Sequence, residues 1–163
     1  MIDLPESKVR VTPTSKQPRQ IKWWTDWVLL VPFALVLAVD QISKYFVKSN
    51  LVLGESWPRE GVFRITYGTN SGSIFGLFPN QTGLLIVASF VAIGFLVYFY
   101  KKHALSNPIT RLSVGLLLGG AFGNLIDRVG AGTVVDFIDL GWWPIFNMAD
   151  SSIVVGIILL VST

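Results

Sequence analysis

The chain has 163 residues, of which 52% are hydrophobic and only 14% charged, with a formal net charge of +3. A water-soluble domain carries about twice that charged fraction to cover its core, so the composition points to lipid as the solvent. The cations flank apolar runs and are not interleaved with aromatics, which argues against nucleic acid and for anionic lipid head groups.

Residues 1–22 are polar, with Pro5, Pro13 and Pro18, and read as a disordered cytoplasmic tail. The first apolar run, Trp27 to Val39, continues past Asp40 to Phe46. The long segment before it and the lack of a small-x-small site after it argue against a cleaved signal peptide. From Leu51 to Phe78, β-branched and aromatic residues alternate (Val62, Phe63, Ile65, Tyr67), which predicts a small extracytoplasmic sheet. Gly83 to Tyr100 carries no charge and would rise roughly 27 Å as a helix, enough to cross a bilayer core. A third run extends to Ile126, and a fourth opens near Pro144, a residue suited to a helix start. The expected fold is an all-α membrane protein: four transmembrane helices (about 27–46, 83–100, 109–126 and 144–161) in one domain, 23–163, with a small β-rich outer region.

Lys8, Arg10, Lys16, Arg19 and Lys22 precede the first span, and Lys101, Lys102 and Arg111 lie between the second and third. The positive-inside rule puts both segments, and so both termini, in the cytoplasm. Trp23, Trp24 and Trp27 suit one interfacial belt, Trp142 and Trp143 the other.

There is no cysteine and one histidine, His103, read as a loop residue. That leaves no thiol nucleophile and little material for a serine–histidine triad or a zinc site. Carboxylates carry the interest. Seven of the ten fall on the expected outer side, and Asp40, Asp127 and Asp150 lie in or beside apolar runs, where charge is costly and faces the bundle interior. Asn124, Asp127 and Arg128 share a helical face, as do Asn147 and Asp150. Gly115, Gly119 and Gly123 form a seam for close helix packing. Spacing alone leaves open whether the polar residues do chemistry or form an internal hydrogen-bond network.

Five segments in order resemble the motifs of the lipoprotein signal peptidases (signal peptidase II): Asp40-Gln-Ile-Ser-Lys44, Asn70-Ser-Gly72-Ser-Ile-Phe-Gly76, Gly119 to Arg128, Val135-Asp-Phe-Ile138 and Phe146-Asn-Met-Ala-Asp150. Ser73, Ile74 and Phe122 depart from residues common in that family. The resemblance implies an aspartic endopeptidase with Asp136 and Asp150 as its catalytic pair. It gives Asn70, Gly72, Asn124, Arg128 and Asn147 substrate-binding or site-ordering roles, and Asp40, Lys44 and Asp127 structural support. Asp139 matches no motif and is expected to be a solvated loop charge. The implied substrates are bacterial prolipoproteins carrying diacylglyceryl on a cysteine, cut before that cysteine at the outer face of the cytoplasmic membrane. Membrane lipids are the other expected partners; no metal, cofactor or nucleic acid is called for, and a monomer is expected. A channel or transporter subunit is the competing class, but the carboxylates gather at one end and do not line a path. An intramembrane metalloprotease lacks its histidines.

Overall fold

The computed structural model describes residues 22–72, 81–104 and 107–163. The tail expected over residues 1–22 lies almost wholly outside them, as does the motif segment 73–76. After a short 3-10 turn, Trp23–Thr25, come helix α1 (Trp27–Asn50), strands β1 (Ser56–Trp57) and β2 (Arg64–Asn70), helices α2 (Thr82–His103) and α3 (Pro108–Ala131), strand β3 (Val134–Asp139) and helix α4 (Met148–Val161).

Local chemistry sets the helix ends. Asp26 caps α1 by accepting the Val28 N–H, and Asn107 caps α3 with Pro108 in its first turn. Gly132, at φ 75°, closes α3 in the left-handed conformation that glycine adopts without strain. His103 ends α2 and does not lie in the loop after it.

Helix α3 is the axis of the bundle, with α1, α2 and α4 all packed on it. Its glycine seam explains how. A Cβ on Gly115 would lie 2.5 Å from the Leu29 carbonyl of α1, and, beside the seam, one on Gly120 would lie 2.5 Å from the Ala149 carbonyl of α4. The seam and the neighbouring face at Gly120 are therefore filled by the protein's own helices, α1 and α4.

Three helices, α1, α2 and α3, are long and apolar enough to cross a membrane. Helix α4 is apolar but has 14 residues and starts at Met148. The start expected at Pro144 is displaced because Phe146 pairs with Ile138 in an antiparallel bridge. That bridge holds the preceding chain extended until Asn147 caps the helix.

The sheet is antiparallel, in the order β1-β2-β3. Its third strand comes from the connection after α3, beyond the 51–78 stretch that predicted strands. Val135 and Phe137 are buried with Val47 of α1 and pack on Ile65, Tyr67 and Met148. The register slips between Ile65 and Gly68, and Gly68 stands opposite Asp136. A bulge beside a functional side chain re-aims it without disturbing the rest of the ladder.

Candidate active site

Strand β3 and the first turn of α4 converge at one end of the bundle. Asn147 joins them. Its side-chain Nδ2 donates to Asp136 Oδ1 at 2.7 Å, and its backbone N–H donates to Asp150 Oδ2 at 3.2 Å. The Asn147 side chain in turn accepts the Asp150 N–H at 2.9 Å, completing a capping box. One residue thus starts the helix and ties the two aspartates together.

Asn124 of α3 adds a second tie. Its Nδ2 donates to Asp150 Oδ1 at 2.8 Å, and its Oδ1 accepts from Asn147 Nδ2 at 3.2 Å and from Lys44 Nζ at 3.1 Å. Behind it, Lys44 is buried between Asp40 at 2.7 Å and Asp127 at 2.8 Å. Gln41 donates to Asp40, Asp127 and the Gly123 carbonyl, and Asp40 accepts the Ala149 N–H of α4 at 3.0 Å. A buried ammonium between two buried carboxylates is tolerable because nearly every polar atom has a partner. Gln41 lay inside a quoted motif, but its amide was not expected to clasp two helices.

Asp136 is 5% exposed. Burial pushes its carboxyl up from 3.8 to about 6, helped by the charge of Asp150 and opposed by the amides of Asn147 and Asn70 and by Lys44. Both oxygens of Asp150, by contrast, accept N–H donors. Asn70 ends β2, and its Oδ1 accepts the Gly72 N–H at 2.8 Å. Gly72 has φ +97°, and a Cβ there would collide with Leu85 of α2. A cleft of about 290 Å³ opens beside Asp136, lined by Gly68, Asn70, Ser71 and Ile145. Arg128 is half-buried in the field of Asp150, Asp136 and Asp127, and its Nε has no hydrogen-bond partner among the described residues.

Two aspartates joined through one asparagine, one of them favouring its proton, can activate a water by general acid–base chemistry. The signal peptidase (SPase) II family model matches residues 32–163. The chain belongs to the signal peptidase II family. It is 46% identical over 127 residues to the lipoprotein signal peptidase of Moorella thermoacetica, covering 77% of this chain and 85% of that protein. The lipoprotein signal peptidase of Syntrophomonas wolfei is 47% identical over 129 residues, covering 78% and 86%. A bacterial membrane enzyme solved by the in meso method is 34% identical, with a TM-score of 0.75 over 81% of this chain and 84% of that one. This member of the signal peptidase II family is therefore a membrane-embedded aspartic peptidase of family A8.

Two polar features of the peptidase lie outside the motifs. Asp139 is not a solvated loop charge: it is 4% exposed in β3, paired with Arg64 at 2.7 Å and accepting from Thr66 at 2.7 Å. The Thr66 hydroxyl, the Gly141 N–H and Arg64 hold its carboxyl below the usual range against the cost of burial. An aspartate at the end of an apolar strand, with an arginine on the neighbouring strand, was the available signal. At the other end of the bundle, Asp26 is buried with Tyr100 Oη at 2.7 Å and Arg111 at 3.1 Å.

Proposed function

We propose that this peptidase removes the signal peptide from diacylglyceryl-modified prolipoproteins, cutting before the lipidated cysteine, with Asp136 and Asp150 as the catalytic pair. The observation that carries the reading is the Asn147 link between the two carboxylates. The relatives named as lipoprotein signal peptidases support the substrate class.

In this reading Asp136 holds the shared proton, because burial raises its carboxyl to about 6. Asp150, dressed with N–H donors on both oxygens, is the base. It takes a proton from a water as the oxygen attacks the scissile carbonyl. Asp136 polarises the carbonyl oxygen, then protonates the leaving amine. Asn124 and Asn147 hold the pair, and Asn70 and Gly72 shape the cleft beside Asp136. Arg128, whose buried Nε has no hydrogen-bond partner among the described residues, is the group assigned to a substrate carbonyl. Asp40, Lys44 and Asp127 anchor Asn124 from behind.

The site sits at the outer membrane interface, with both termini inside and α4 as the fourth span; the lysines and arginines at the opposite end of the bundle support that orientation. With its glycine seam filled from within, the bundle offers the signal helix a different surface. A groove of about 280 Å³ between α1 and α4, lined by Val36, Val39, Leu116, Met148 and Val155, suits an apolar segment. The enzyme acts as a monomer in this reading. A gel-shift assay with diacylglyceryl-modified and unmodified precursors tests the substrate class. Cleavage of the modified form alone is expected; equal cleavage of both would overturn the lipid requirement.

A further inference from the structure

At the end of the bundle remote from the aspartates, α2 packs along α3 but stands off from α1. Between the three helices lies an apolar crevice of about 320 Å³, walled by Leu30, Phe33, Val97, Leu118 and Phe122. Trp23 and Lys101 line it toward the chain's polar flank. Along α1 it runs from Leu29 to Phe33, about 6 Å of helix, and Trp23 of the 3-10 turn before α1 closes its polar end.

The charge at this end is lopsided. Lys101, Lys102 and Lys22 are exposed, and Lys22 Nζ lies 5.6 Å from the Trp24 ring centre. Among the described residues the carboxylate nearby, Asp26, is consumed internally by Arg111 and Tyr100. An apolar slot with an aromatic and, among the described residues, lysines without a carboxylate partner at its mouth has the chemistry of a lipid site.

We infer that this crevice is a binding site for an anionic phospholipid of the lysine-rich leaflet, one acyl chain lying along Phe33 and Phe122 and the phosphate at Lys101. It is separate from the peptide site and does not depend on which substrate is cut. Each lysine facing the head group is expected to favour an anionic over a zwitterionic lipid about fivefold.

Native mass spectrometry of the full chain released from detergent, with phosphatidylglycerol or phosphatidylcholine of matched acyl chains, tests the assignment. One phosphatidylglycerol per chain is expected to survive, in preference to phosphatidylcholine. Lys101→Gln is expected to reduce that preference about fivefold. Val97→Trp, which fills the slot from a half-open position, is expected to abolish retention of both lipids. Leu30→Trp, from the opposite wall, repeats the test should the first variant melt early. Equal retention of the two lipids by the wild type, or full retention by a folded slot-filling variant, would overturn the site. So would lipid-free dimers closed over this face.

Discussion

Lys44 Nζ donates to Asn124 Oδ1 at 3.1 Å, and this fixes which end of the Asn124 amide meets Asp150. An ammonium has no acceptor, so the amide oxygen must face it and the amide nitrogen must face the carboxylate. Asn124→Asp keeps the contact with Lys44 but presents an oxygen to Asp150. A hydrogen bond to a charged group is worth about 1.5–3 kcal/mol, so kcat is expected to fall roughly 10- to 100-fold with the fold retained. Cleavage kinetics beside a thermal melt check this.

Lys44 itself is a folding matter. Lys44→Met leaves Asp40 and Asp127 buried without their cation, a loss of about 3–5 kcal/mol. A large drop in Tm in detergent is expected, and Lys44→Met melting like the wild type would contradict the buried ion triad.

Asp136 makes stability and activity fall together as pH rises. Its folded carboxyl, at about 6, lies above the ordinary 3.8. Its protonated form therefore supports the fold fully below about pH 4, and that support is lost as pH rises through about 6. The contribution is on the order of 2–3 kcal/mol. Asp136→Asn is accordingly expected to melt higher than the wild type at pH 8 and to lose that advantage at pH 4. In the wild type, kcat/KM is expected to decline as pH climbs past about 6. Carboxyl NMR on Asp150→Asn is expected to show Asp136 titrating lower, because a neighbouring negative charge has gone.

Asp139 works in the opposite sense. Its lowered carboxyl stabilises the sheet above the ordinary carboxylate range, and that support fades as pH falls through its folded value. Asp139→Asn weakens the ties to Arg64 and Thr66 and is expected to cost about 1–3 kcal/mol. Limited proteolysis within residues 51–70 is expected to accelerate before the helices melt.

Gly72→Ala places a methyl at positive φ and against Leu85. Cleavage is expected to drop at least tenfold through displacement of Asn70, with a Tm close to that of the wild type.

The three long helices were legible because uninterrupted apolar length has no other reading, and the glycine seam because its four-residue spacing matches a helix face. The start of α4 was not. Pro144 is a good first helical residue, but the bridge from Phe146 to Ile138 depends on strand β3 (Val134–Asp139) being in place and outcompetes it. Strand β3 was hidden by its own burial. Val134 to Asp139 lacks clean polar alternation because the strand is buried on both sides, so no period of two marks it. Asp139 was misjudged for the same reason: its partners Arg64 and Thr66 are brought to it only by strand pairing. The motifs pointed to Asp136 and Asp150, but nothing in their spacing told that Asn147 bridges them or that Lys44 orients Asn124.

Asp136→Asn and Asp150→Asn, each assayed on a diacylglyceryl-modified prolipoprotein beside a thermal melt, test the catalytic pair most directly. Both variants are predicted to remain folded and lose cleavage by at least a thousandfold, on the order expected when a catalytic acid or base is removed. Substantial cleavage by either folded variant would contradict the two-aspartate account.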